Sequence, residues 1–113
     1  MAATVDRQKT FRDFPKLIRK VRMSSIVAGQ LEDVTHGGPA NTNPTRIWAE
    51  AITPPTAPCA FVLVRDQDQD SATGGTARIR FQAEGGGDLA GMVANVFFEF
   101  EQSASGGIGV SGV

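Results

Sequence analysis

All thirteen glycines of this 113-residue chain fall at position 29 or later. Together with the prolines they cut that part into short runs. The breaks are Gly37-Gly38-Pro39, Pro54-Pro55, Pro58, Gly74-Gly75 and Gly85-Gly86-Gly87. Little room is left between them for long helices, and the intervening segments alternate with the period of two that strands impose. Residues 76–83 are the clearest case: Ala77, Ile79, Phe81 and Ala83 point one way, Thr76, Arg78, Arg80 and Gln82 the other. Residues 92–100 repeat the pattern, with Met92, Ala94, Val96, Phe98 and Phe100 inward and Asn95 and Glu99 outward. Residues 45–52 set Ile47, Ala49 and Ala51 against Arg46, Trp48 and Glu50. Residues 59–64 are apolar on both faces, which fits a central strand covered twice or a strand at a subunit contact. Residues 25–35 read as a strand bent at Gly29. The expected fold is all-β: a small antiparallel β-sandwich or barrel of five to six strands.

The first 22 residues obey different rules. They carry seven Lys and Arg against Asp6 and Asp13, a net charge of +5, whereas the rest carries four Arg against ten carboxylates, a net −6. A basic N-terminal arm is therefore joined to an acidic body. Within it Phe14, Leu17, Ile18 and Val21 recur at the spacing of a short amphipathic helix, with Asp13 as a cap and Pro15 in the first turn. A competing reading makes residues 20–26 a strand, because Val21 and Met23 alternate with Lys20, Arg22 and Ser24. The chain then divides into an arm (1–22), a β-body (23–102) and a Gly/Ser-rich tail (103–113), flexible when alone.

Three uses of the arm follow from its chemistry. It could neutralise phosphates, with Phe11 and Phe14 stacking on bases. It could dock an acidic protein surface through apolar anchors, or form the solvated face of the fold. Phosphate contact alone would not require those anchors, and an acidic body repels nucleic acid, so docking on protein is favoured. The partner-binding residues on this reading are Arg7, Lys9, Phe11, Arg12, Phe14, Lys16, Leu17, Arg19 and Lys20. Arg46, Trp48, Arg78 and Arg80 make a second expected face, for a ligand or a subunit.

Catalysis has thin support. There is one histidine, His36, and no tyrosine. His36 sits at the end of an expected strand, in Val34-Thr35-His36-Gly37-Gly38, the position of a turn or packing residue. The single cysteine, Cys59, lies in an apolar run without basic neighbours to lower its pKa. Asp66, Asp68 and Asp70 have the spacing that opens a calcium loop, but Ser71 stands where glycine is needed and Ala77 where glutamate is needed. They read as a solvated hairpin tip. We expect no enzyme activity, cofactor or metal. No signal peptide and no membrane-length apolar stretch is seen, so synthesis in a cytoplasm without export is expected.

Val34-Thr35-His36-Gly37-Gly38, Pro44, the runs 47–52, 61–64 and 79–81, and the closing apolar run 93–100 together resemble small β-domains of tailed-bacteriophage virions. The resemblance spans about 65 residues and rests on the order of strand and turn types. It implies a virion accessory protein without catalytic residues: a capsid decoration, head–tail or fibre-base component. Such a protein would assemble as a homo-oligomer, with a trimer favoured, on capsid or tail structural proteins. The alternative is a carbohydrate- or host-receptor-binding β-sandwich, with Trp48, Arg46, Asn41 and Asn43 as a shallow site.

Overall fold

The computed structural model describes residues 3–13 and 16–101, the first strand chiefly through its backbone. Seven strands form: β1 (Thr4–Asp13), β2 (Lys16–Ser24), β3 (Leu31–Thr35), β4 (Arg46–Thr53), β5 (Phe61–Arg65), β6 (Thr76–Ala83) and β7 (Val93–Glu101). They make two antiparallel sheets, a four-stranded one in the order β1-β2-β7-β4 and a three-stranded one in the order β3-β6-β5. The only helical turns among the described residues are two short 3-10 turns, Gln67–Gln69 and Glu84–Gly86. The fold is all-β, as the alternating runs require.

The middle strands of the two sheets supply most of the core. From β7 come Ala94, Val96, Phe98 and Phe100, and from β6 Ala77, Ile79 and Phe81. Leu17, Val21 and Met23 of β2 and Val34 of β3 complete the contact between sheets. Leu89 and Met92, in the crossing from β6 to β7, close one end. Burying an apolar side chain of this size contributes about 1.5–3 kcal/mol, which accounts for the two sheets facing each other.

Three expectations change. The segment expected to be a helix is strand β2, so the boundary at residue 22 falls inside a strand. Leu17 and Val21 lie on its inner face with Met23, while Lys16, Ile18, Lys20 and Arg22 alternate outward. Arg19 takes an inward position between them and hides the two-residue period; without that interruption the strand pattern would dominate. The run 59–64 is not a doubly covered centre. Its strand β5 is an edge of the three-stranded sheet, β6 is the centre, and Val62 stays exposed. The run 25–35 is a strand only from Leu31. Before it, Gly29 turns the chain at a φ of +81° and donates its N–H to the Phe81 carbonyl at 2.7 Å. Phe14 and the tail 103–113 lie outside the described residues.

The segment after β3 packs tightly against β7. A methyl group on Gly38 would run into the Phe100 ring. Because Phe100 is fully buried, it has little room to yield. Gly38→Ala should therefore lower stability by about 1–3 kcal/mol, read as a drop in the urea midpoint without a change in slope.

Candidate docking site

The cationic segment is a strand pair belonging to the larger sheet. Its backbone register aligns residue positions in rows across the sheet. One row runs Lys9, Lys20, Phe97, Trp48; the next runs Arg7, Arg22, Asn95, Glu50; a third runs Phe11, Ile18, Glu99, Arg46. Two consecutive cross-strand pairs thus place cation opposite cation. Like charges directly opposite destabilise a sheet. The β1–β2 pair thus concentrates Lys and Arg positions at one border of the sheet.

Beside it stands an aromatic rib. Trp48 stacks on Phe97 with ring centroids 5.1 Å apart and planes within 9°. The Arg46 guanidinium carbon lies 4.2 Å from the Trp48 ring centroid. This cation–π contact contributes about 0.5–1 kcal/mol where solvent reaches it. The indole is thereby engaged by a phenyl ring and a guanidinium, which leaves a poor platform for a sugar ring. Glu99, opposite Ile18 and Arg46, is buried, and Lys16 pairs with it at 3.6 Å.

The expected partner-binding residues separate on this framework. Arg7, Lys9, Phe11 and Arg12 belong to β1, whose side chains beyond Val5 are outside the described set. Lys16 and Lys20 take outward positions. Leu17 is a core residue, 3% exposed, so it cannot anchor a partner. Arg19 faces inward at the rim, where its Nε donates to the His36 carbonyl at 2.9 Å. Arg46 and Trp48 do not share a face with Arg78 and Arg80. The first pair lies outside the four-stranded sheet and the second outside the three-stranded one, so they occupy opposite sides of the sandwich. Sequence reasoning also passed over Phe97 and Arg22. Strict alternation along β7 and β2 would have put both on the outer face.

His36 joins the two sheets. It is fully buried, with its ring centroid 4.9 Å from that of Phe100 and 5.5 Å from that of Phe98. Its Nδ1 accepts the Gly38 N–H at 3.0 Å, so the neutral ring carries its proton on Nε2, which is buried without a hydrogen-bond partner. Packing is therefore its role, as its place before Gly37 implies. Burial lowers its pKa below the ordinary 6.5; Asp70 opposes that shift, while Arg19 and Arg65 add to it.

The three aspartates do not converge on a cation. Among the described residues no group of three or more potential ligands is found. Asp70 is not a solvated tip residue at all. Its side chain has no exposure, and it accepts from Arg65 Nε at 3.0 Å and Arg65 Nη2 at 2.5 Å. Asp70 also accepts the Arg78 N–H at 3.2 Å, while Arg65 Nη2 donates to the Pro44 carbonyl at 2.7 Å. This clamp fixes the β5–β6 connection to the loop before β4. No family model, curated protein or solved structure matches the chain.

Two outcomes follow. The neutral His36 form is favoured in the folded state, so its contribution is full above pH 6.5. It is lost as pH falls from there toward the depressed folded pKa. The urea midpoint of the wild type should fall between pH 7 and pH 5, and His36→Gln, although less stable, should show a shallower fall. Asp70→Ala should cost about 3–5 kcal/mol by leaving Arg65 unpaired beneath the surface, measured by chemical unfolding at pH 7.

Proposed function

We propose that this chain is a non-enzymatic structural protein that attaches to an acidic protein surface through the outer face of β1 and β2. The observation that carries this is the pair of like-charge rows, Lys9 opposite Lys20 and Arg7 opposite Arg22. A strand pair so rich in Lys and Arg positions suits an anionic surface. The rib of Ile18, Phe97 and Trp48 then supplies the apolar part of the contact, where anchors of this kind hold most binding energy. The charges speed encounter and the rib slows release. Nucleic acid is the weaker partner, because the Trp48 ring is already engaged and Glu50, Glu99 and Glu101 lie on or beside the same face.

The resemblance to tailed-phage β-domains supplies a setting: attachment to a capsid or head–tail assembly in a decoration or connector role. Among the described residues no helix is long and apolar enough to cross a membrane.

Fluorescence anisotropy against poly-L-glutamate and against oligothymidylate of matched charge tests the surface. Binding should favour the polypeptide, weaken as salt rises, and drop by about tenfold or more in Lys20→Glu/Arg22→Glu. Tighter binding to the oligonucleotide, or no effect of the double variant, would exclude this partner class. Immunogold labelling of virions banded from a lysate that expresses the chain tests the setting; unlabelled particles would remove the virion role.

A further inference from the structure

The outer face of the three-stranded sheet lies on the other side of the sandwich and takes no part in that attachment. Three arginines reach it or its margin. Arg65 is held by Asp70, and Arg78 by Asp33 through two hydrogen bonds of 2.8 and 3.1 Å. Arg80, in the middle of the central strand, pairs with no carboxylate among the described residues, and its Nε is buried without an acceptor. That Nε loses hydration without gaining a partner.

Its surroundings are apolar. The register sets Leu31 on one side of Arg80 and Val64 on the other, with Val62 beside Gln82 in the neighbouring row. Leu31 is 48% and Val62 47% exposed, both on edge strands of a three-stranded sheet. Arg80 also forms the wall between two open grooves, of about 270 and 330 Å³. The double-sided apolar character of β5 is thus unexplained within one chain. One of the two explanations that its sequence allows, a covered central strand, does not apply.

The same face carries the missing counter-charge. Asp33 sits diagonally across the β3–β6 ladder from Arg80, and its side chain stays 52% exposed although Arg78 holds it. A carboxylate offers about four lone-pair positions, and two hydrogen bonds from Arg78 leave acceptor capacity facing solvent. Within the chain, Asp33 is already committed to Arg78. A second copy laid face to face about a two-fold axis would place Arg80 on the partner copy's Asp33. Symmetry then places its own Asp33 on the partner copy's Arg80.

We infer that two copies of this chain dimerise isologously through the outer face of the β3-β6-β5 sheet, with reciprocal Arg80–Asp33 pairs set in an apolar surround of Leu31, Val62 and Val64. Face-to-face packing of two such sheets matches the way sheets stack in sandwiches, about 10 Å apart. The arrangement differs from the trimer expected from the phage resemblance. It is independent of the attachment surface, since the two faces are back to back, and the dimer would present two cationic faces outward.

Sedimentation equilibrium of the full chain from about 1 to 100 µM tests it, because interfaces of this kind span micromolar affinities. The wild type should dimerise, and the dimer should weaken as NaCl rises from about 50 to 500 mM, whereas a purely apolar contact would not weaken. Arg80→Glu should raise the dimer Kd by about 100-fold, and Arg80→Met, which keeps the stem, by less. Unchanged thermal unfolding of the isolated Arg80→Met monomer separates loss of contact from loss of fold. Lys20→Glu/Arg22→Glu should dimerise like the wild type while losing poly-L-glutamate binding, which tells this interface apart from the attachment face. A chain that stays monomeric at 100 µM, or a dimer indifferent to Arg80→Glu, overturns the inference.

Discussion

The sandwich depends on a close approach between the end of β3 and the inner face of β7. His36, buried against Phe98 and Phe100, has one ring nitrogen satisfied by the backbone two residues on. Gly38 lies so near the Phe100 ring that no side chain fits between. Arg19 reaches from β2 to the carbonyl of His36 and so binds the cationic strand pair to the same point. One short segment thereby ties β2, β3 and β7, which belong to both sheets. Everything outward of β2, including the cationic rows, keeps its position because this junction keeps β2 in place.

Legibility from sequence followed burial. β6 and β7 were plain, because each is half in the core and half outside it, and period two records that division. β2 was not plain. Leu17 and Val21 stand four apart, as on a helix, and Arg19 between them takes an inward position without being apolar. A rim position where an arginine reaches a backbone carbonyl breaks the alternation that a core position would keep. The edge position of β5 was hidden for the opposite reason. Exposed Val62 and half-buried Val64 imitate a buried strand, since hydropathy does not distinguish a core from a face that lacks its cover.

The candidate site divided in the same way. Alternation along β4 correctly put Arg46 and Trp48 together, but it carries no information on which sheet a strand joins. Arg78 and Arg80 therefore looked like neighbours of that pair and are on the far side. Asp70 escaped notice because its partner, Arg65, is five residues earlier on another element, and a cluster of aspartates in a polar stretch gives no sign of burial. Charge separation along the chain was real, yet it described a strand pair in the sheet and not a free limb.

One property of the first strand reaches further. β1 is an edge of the four-stranded sheet, with a row of backbone groups that no strand among the described residues covers. Such borders are protected from joining other chains chiefly by charged residues placed along them. The sequence of β1 places Arg7, Lys9 and Arg12 along that border. If the proposed acidic partner covers β1, it would also neutralise charges of the kind that guard such a border. On that reading attachment and strand addition would be coupled, so that a border closed to further chains in solution becomes open to them where the molecule is bound.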